Sequence, residues 1–321
     1  MIIIDTHTHY IPLRLAERGF GGVRLSGGEV IHRQGRGYPL HPSFHDVRAR
    51  LRSMDDRRID HAVVSVAPAF FMYSETGASS YCREVNDLLA EHAAGSAGRL
   101  TAVATLPMRE PEAAAAELER SVTELGMRGA QIGPEIDGEP LDLPKFRPVL
   151  EVAERLGVPL ILHPYGVSRQ DNFYLNNLVG YPLATVTSAA RLIFSGTLDE
   201  LPTLRLVLMH GGGYLPYQIG RLDHGHLVRP EAAGCKLPPS AYLDRFCYDT
   251  ITHAPAPLRF LVDMVGPGRV MFGTDYPFDM AAGPLTDQLA GTALSPEAIS
   301  RIAGRNALRE FGIDPRGVDV P

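Results

Sequence analysis

Eight short apolar runs, each trailed by a segment of helical periodicity, constrain this chain more than any other feature of it. The runs are "MIIID" (1–5), "HAVVSVAP" (61–68), "LTAVATLP" (100–107), "GAQIG" (129–133), "PLILHP" (159–164), "LRLVLMH" (204–210), "RFCYDT" (245–250) and "RVMFGTD" (269–275). Most are continuous rather than alternating, as parallel strands covered on both faces require. Between them, Pro111 and Glu112 open a helix with Leu118, Val122 and Leu125 on one stripe. Another carries Phe146, Val149, Leu150, Ala153 and Leu156 on one face and stops at Gly157, before Pro159. Further helices are expected over roughly 44–58, 78–94, 183–200, 214–226, 255–265 and 296–311. This repeating order predicts an α/β fold, a (β/α)8 TIM barrel, with an open doubly wound sheet as the rival. No GxGxxG follows a strand, so a dinucleotide site has no support.

No linker or internal repeat divides the chain, which reads as one domain over 1–321. Two stretches interrupt the alternation. Residues 11–43, rich in Gly, Pro, Arg and His, read as an insertion after strand one, a small β excursion or lid. Residues 165–182 follow strand five. Loops after barrel strands lie at the catalytic end, so both stretches are candidates for substrate contact.

The net charge of -6 argues against a general nucleic-acid binder. No apolar run approaches the roughly 18 residues that would span a bilayer. "MIIID" is too short for a secretory leader, so a cytoplasmic protein is expected. Cys82, Cys235 and Cys247 have no CxxC spacing and read as buried free thiols.

Chemistry-bearing residues gather at the carboxyl ends of the predicted strands. His7 and His9 follow strand one, and their alternation puts both on one face. His163 ends strand five, His210 strand six and Asp275 strand eight. In a barrel these ends ring one mouth. Imidazoles with a carboxylate suit a zinc-like divalent ion with an open position, where bound water acquires a pKa of roughly 7. Asp249, ending strand seven, is a candidate to orient an imidazole. "HGGG" (210–213) reads as a tight turn needing glycine freedom.

The motifs "DTHTH" (5–9), "LILHP" (160–164), "LMHGGGYLPYQIGRLDHG" (208–225) and "FGTDYPFDM" (272–280) resemble the amidohydrolase superfamily, and within it the aminocarboxymuconate-semialdehyde decarboxylase-like family. The resemblance covers nearly the whole chain and is best over 159–280. It implies His7, His9, His163 and Asp275 as ligands of one divalent ion, Zn2+ or else Mn2+. It implies His210 as general acid/base, with Asp275 part of the catalytic group. It also implies a homodimer in which Arg221 reaches across the interface toward a substrate carboxylate. Binuclear relatives use a carboxylated lysine at the end of strand four. Here "GAQIG" offers none, and Lys145 and Lys236 lie elsewhere, so one metal per subunit is expected.

The sequence also departs from that family. It contains no Trp, and Tyr174 and Asn177 occupy the positions of the family's tryptophans after strand five. Arg33 and Arg36 are offered for the family's carboxylate-holding arginine, Arg36 being the one assigned to substrate. The expected function is a metal-dependent, non-oxidative decarboxylase of an unsaturated or aromatic small-molecule carboxylic acid, needing no organic cofactor. The alternative is a hydrolase or hydratase on the same scaffold, acting on an amide, lactone or C–C bond.

Overall fold

The computed structural model describes residues 1–18, 24–31, 37–70, 77–165 and 172–314. The strands, in chain order, are β1 (Ile4–Tyr10), β2 (Arg24–Ser26), β3 (Glu29–Ile31), β4 (Gly37–Pro39), β5 (His61–Val66), β6 (Leu100–Ala102), β7 (Ala104–Thr105), β8 (Ala130–Ile132), β9 (Glu135–Ile136), β10 (Glu139–Pro140), β11 (Leu160–Leu162), β12 (Leu206–Leu208), β13 (Phe246–Asp249) and β14 (Val270–Met271). Two parallel sheets run β1-β5-β6 and β7-β8-β11-β12-β13-β14, and helices separate their strands, so the class is α/β. The sheets meet at both ends. Val103 N–H bonds Val64 C=O at 3.0 Å, and Ala104 N–H bonds Gly129 C=O at 2.9 Å. On the other side Thr6 N–H bonds Phe272 C=O at 2.8 Å and Asp275 N–H bonds His7 C=O at 2.8 Å, joining the first strand to the last.

The predicted runs all recur as strands, mostly shorter. β1 is the exception. The sequence reading ends it at Asp5, yet it continues to Tyr10, buried throughout. Its pairing with β5 shifts register between Asp5 and Thr8, three residues facing two. This bulge changes which side chains face inward. The helix Arg147–Leu156 ends as expected at Gly157, whose φ of +65° needs no Cβ. The helices 78–94 and 255–265 match their expected bounds.

Strand side chains divide into two sets. Leu160, Leu162, Leu206, Leu208, Phe246, Tyr248, Val270 and Phe272 join the large core beneath the helices. Ile4, Val63, Val103, Ile161, Val207, Cys247 and Met271 meet one another on the opposite face, closed off by Phe311 of the last helix. One residue from each of seven strand segments, with β8 contributing none, therefore builds a single apolar plug.

β2, β3 and β4 form a small antiparallel sheet within 11–43. Arg33 and Arg36, the arginines expected to meet substrate, lie outside the described residues. Cys82, Cys235 and Cys247 are free and buried. Among the described residues no helix is long and apolar enough to cross a membrane.

Candidate metal centre

Period two carries each strand from the apolar plug to the site. His163 stands two residues beyond Ile161, Asp249 two beyond Cys247, Asp275 four beyond Met271 and Ser65 two beyond Val63. His7 stands three beyond Ile4, and the bulge in β1 supplies the odd step. Polar groups thus crown the same face that is apolar below.

His7, His9, His163 and Asp275 are buried, and one ligand atom from each lies within 4.8 Å of all the others. His7 Nε2 is 3.1 Å from His9 Nε2 and 3.0 Å from His163 Nε2. Asp275 Oδ1 is 3.0 Å from His9 Nε2 and 3.4 Å from His7 Nε2.

The other ring nitrogens assign the tautomers of His7 and His163. His7 Nδ1–H donates to Asp249 Oδ2 at 2.8 Å. His163 Nδ1–H donates to Pro164 C=O at 3.0 Å, an atom that can only accept. His9 Nδ1 faces Ser65 Oγ at 3.2 Å. With protons on Nδ1, three Nε2 lone pairs and a carboxylate oxygen point at one another in a dry site. Asp275 Oδ1 is buried without a hydrogen-bond donor among the described residues. Such a set repels itself unless it shares a cation, and its spacing suits donors lying about 2.0–2.2 Å from one ion. The residues therefore fit a divalent metal.

Burial pushes the His9 imidazole down to about 4, and Asp275 offsets this only in part. Burial, with the neighbouring imidazoles of His7 and His9, drives His163 well below its ordinary value. Burial would raise Asp275, but His7 and His9 outweigh it and hold the carboxyl low. His7 is also desolvated, yet the carboxylates of Asp275 and Asp249 leave it raised. Neutral imidazoles and an ionised carboxylate are the states that ligate metal, so His9, His163 and Asp275 are shifted toward ligation while His7 gives up a proton to join them.

Asp249, wholly buried, does more than orient His7. Its Oδ2 also accepts from His210 N–H at 3.0 Å, and its Oδ1 from Gly211 N–H at 2.7 Å and Ile251 N–H at 3.1 Å. His210 was expected to end a strand, but β12 stops at Leu208. His210 itself has φ +57°, as Asp275 has φ +62°. A non-glycine residue held there costs on the order of 1–3 kcal/mol and persists only when its surroundings enforce it. The Asp249 grip on two successive amides is that enforcement at His210. "HGGG" is a turn, as its sequence suggests. Gly213 has φ +62°, and a Cβ there would lie 2.3 Å from Pro182 O.

His210 Nε2 is 4.0 Å from Asp275 Oδ2, and its ring stacks on Tyr181 with centroids 6.4 Å apart. It borders a cavity of about 570 Å³ that Asn177, Tyr181, Tyr214, His253 and Phe260 also line. Asn177 thus shares that cavity with His210. Tyr174 is half-exposed, and its hydroxyl is raised by burial and by Asp279 and Asp275, whose field it therefore shares. Arg221 is exposed on the helix Leu215–Val228 and does not line the cavity. Sequence reasoning missed Phe278, whose ring lies 5.1 Å from that of His9. Its signal was there, three residues past Asp275 in a quoted motif. It also missed buried Arg50, which donates to His9 C=O. An arginine within an amphipathic helix gives no such sign.

The fold and this donor set describe a metal-handling α/β protein, and comparison with known proteins places it among relatives. The chain belongs to the amidohydrolase family, whose pattern matches residues 4–313. It is 32% identical to 2-amino-3-carboxymuconate-6-semialdehyde decarboxylase from Dictyostelium discoideum, over 97% of this chain and 92% of the relative. It is 33% identical to gamma-resorcylate decarboxylase from Rhizobium sp. (strain MTP-10005), over 83% of this chain and 86% of the relative. The crystal structure of 5-carboxyvanillate decarboxylase from Sphingomonas paucimobilis superposes with a TM-score of 0.84 at 27% identity, covering 98% of this chain and 99% of that one.

Proposed function

We propose that this protein is a metal-dependent, non-oxidative decarboxylase of an unsaturated or aromatic carboxylic acid. The observation that carries the reading is the convergence of His7, His9, His163 and Asp275 beside His210, which itself lines an aromatic-rich cavity. Chain-long similarity to decarboxylases supports the reaction class.

In this reading the three Nε2 atoms and Asp275 Oδ1 hold one divalent ion, zinc by the preference of its donors, with manganese as the alternative. When bound, the ion supplies positive charge against which substrate oxygens are held. The remaining steps belong to the chain. His210 delivers a proton to the substrate carbon that bears the carboxylate, forming the new C–H bond with an electron pair from the conjugated system. The bond from that carbon to its carboxylate then breaks, carbon dioxide leaves, the electron pair returns to the conjugated system, and His210 is reprotonated from water. Asp275 Oδ2 steers the His210 ring electrostatically. Tyr174 and Asn177 contact the substrate, as does Arg36 from the segment after β3.

The reading takes the sheet as a closed (β/α)8 barrel in one domain, with residues 11–43 inserted after β1. Hydrogen bonds between the first and last strands and the shared apolar plug support closure. The chain is taken to work as a homodimer in which Arg221 serves the partner's site. In support, its helix exposes Tyr217 (75%) and Leu227 (80%), apolar surface that a second copy would cover. Three free, buried thiols suit a reducing, cytoplasmic setting.

The test is to incubate the metal-loaded enzyme with hydroxybenzoates and carboxymuconate-type acids while monitoring carbon dioxide. One carbon dioxide released per substrate consumed is expected. A product that has gained water, with no carbon dioxide, would overturn the reaction class.

A further inference from the structure

Two of the three histidines facing the centre donate Nδ1–H to acceptors that leave no choice of tautomer, a carboxylate and a carbonyl. The nearest partner of His9 Nδ1 is instead a hydroxyl, Ser65 Oγ at 3.2 Å, which can donate or accept, with the Val66 backbone also interacting with the ring. What lies behind Ser65 removes the ambiguity. Its Oγ is 2.7 Å from Gln131 Oε1, much nearer than the 3.3 Å to Thr8 C=O, so its one proton goes to the glutamine. Gln131 cannot turn its amide round, because its Nε2 donates to Val66 C=O at 2.9 Å, and a carbonyl only accepts. The chain of bonds therefore runs in one direction. Val66 C=O orients Gln131, Gln131 Oε1 takes the Ser65 proton, and Ser65 Oγ is left to accept from His9 Nδ1–H. The Nε2 lone pair of His9 is thereby turned toward His7, His163 and Asp275. His9, Ser65 and Gln131 are all buried, so water offers no competing partner.

The three residues come from β1, β5 and β8. β8 is the strand whose sequence lacks a lysine. We propose that Gln131 and Ser65 are positioning residues, a hydrogen-bonded relay that locks His9 in the Nδ1–H tautomer and so primes the centre for its ion. The proposal rests on the reading of His9 as a metal ligand and deepens it. The relay acts before the ion arrives, so its effect belongs to the metal-free protein as well as to the loaded one.

The experiment compares the unaltered protein with Ser65→Ala, Gln131→Met, the double variant and Ser65→Thr, with His7→Ala as a ligand-deletion control. Two readouts are taken. One is the tautomer of His9 in the metal-free protein, by 15N NMR of the ring nitrogens. The other is zinc affinity, by competition with a chelator. Ser65→Ala and Gln131→Met are each expected to populate the Nε2–H form of His9 and to weaken zinc binding about 10-fold or more. The double variant should bind within about 2-fold of the weaker single one, since both act through one chain of bonds. Ser65→Thr keeps the hydroxyl and should restore most of the affinity, a rescue that simple loss of packing does not predict. If Gln131→Met fails to fold, Ser65→Ala against Ser65→Thr carries the test.

Unchanged zinc affinity and an unchanged His9 tautomer in both single variants, with binding lost in His7→Ala, would overturn the relay and leave the ligand reading standing. If the unaltered protein binds neither zinc nor manganese, the ligand reading falls and the relay falls with it.

Discussion

Asp249→Asn is the most informative single substitution, because it exchanges one atom and leaves the volume unchanged. The carboxylate accepts four hydrogen bonds, two at each oxygen: His7 Nδ1–H and His210 N–H at Oδ2, Gly211 N–H and Ile251 N–H at Oδ1. Whichever way the new amide turns, its NH2 opposes two donors. Facing Gly211 and Ile251, it strands two buried backbone amides, at about 1–3 kcal/mol each. Facing His7 and His210, it strands one, because His7 can respond by moving its proton to Nε2. The second orientation is therefore preferred, and it places a proton amid the converging ligand atoms. Metal binding must then reverse the tautomer and restore the donor clash. Losing that orienting bond is expected to weaken zinc affinity 10- to 100-fold, or about 1.4–2.7 kcal/mol. Turnover should fall further, since the left-handed backbone of His210 loses one of its two anchors. The assay is zinc titration against a competing chelator, with turnover measured at saturating metal and thermal unfolding of the metal-free variant as a folding control. A well-folded variant that binds zinc within 2-fold of the parent would refute the tautomer argument.

Three other outcomes are expected. His210→Ala should retain its metal by elemental analysis yet lose turnover by on the order of 10²-fold or more, while Asp275→Ala should lose both. Gly213→Ala should unfold at a lower temperature by calorimetry, losing more than about 1 kcal/mol, because φ +62° and Pro182 O at 2.3 Å leave no room for a Cβ. Acid should destabilise the metal-free protein through His61, whose pKa burial lowers to about 4. The unfolded chain binds that proton near 6.5, so the stability is intact above that pH and is lost as pH falls from 6.5 toward 4. Between pH 7 and 5 this amounts to about 2 kcal/mol. Urea unfolding at the two pH values should show a drop that His61→Gln diminishes, and equal drops in both proteins would dismiss His61 as the cause.

Much of the site was legible because chemistry-bearing residues stood at the ends of apolar runs. His163, Asp249 and Asp275 were found this way, since a parallel strand buried on both faces has no other reason to end in a group that ionises. The first strand was misjudged for the same reason. Its polar residues, Asp5 to His9, looked like the end of a strand, although the strand runs on through them. Polarity marks the inner mouth of a sheet as readily as it marks a loop, and only the pairing with β5 separates the two. His210 was recognised as a residue, but its left-handed backbone was not, because nothing local to "LMHGG" discloses that Asp249, 39 residues away, captures its amide. Gln131 was noticed only for not being lysine, and Ser65 not at all. An amide and a hydroxyl inside apolar runs carry no periodic signal.

The amino-acid order alone determined the alternation of strand and helix and the residue types available to hold a cation. Those are local matters, set by side-chain volume, apolar spacing and backbone preference within a few residues. The tertiary structure decided which lone pairs face one another and which nitrogen of each imidazole carries its proton. At His7 and His9 both depend on hydrogen bonds between strands 56 and 242 residues apart in the chain, whose partners share no spacing rule that could be read beforehand, whereas His163 is set by the carbonyl of its neighbour Pro164.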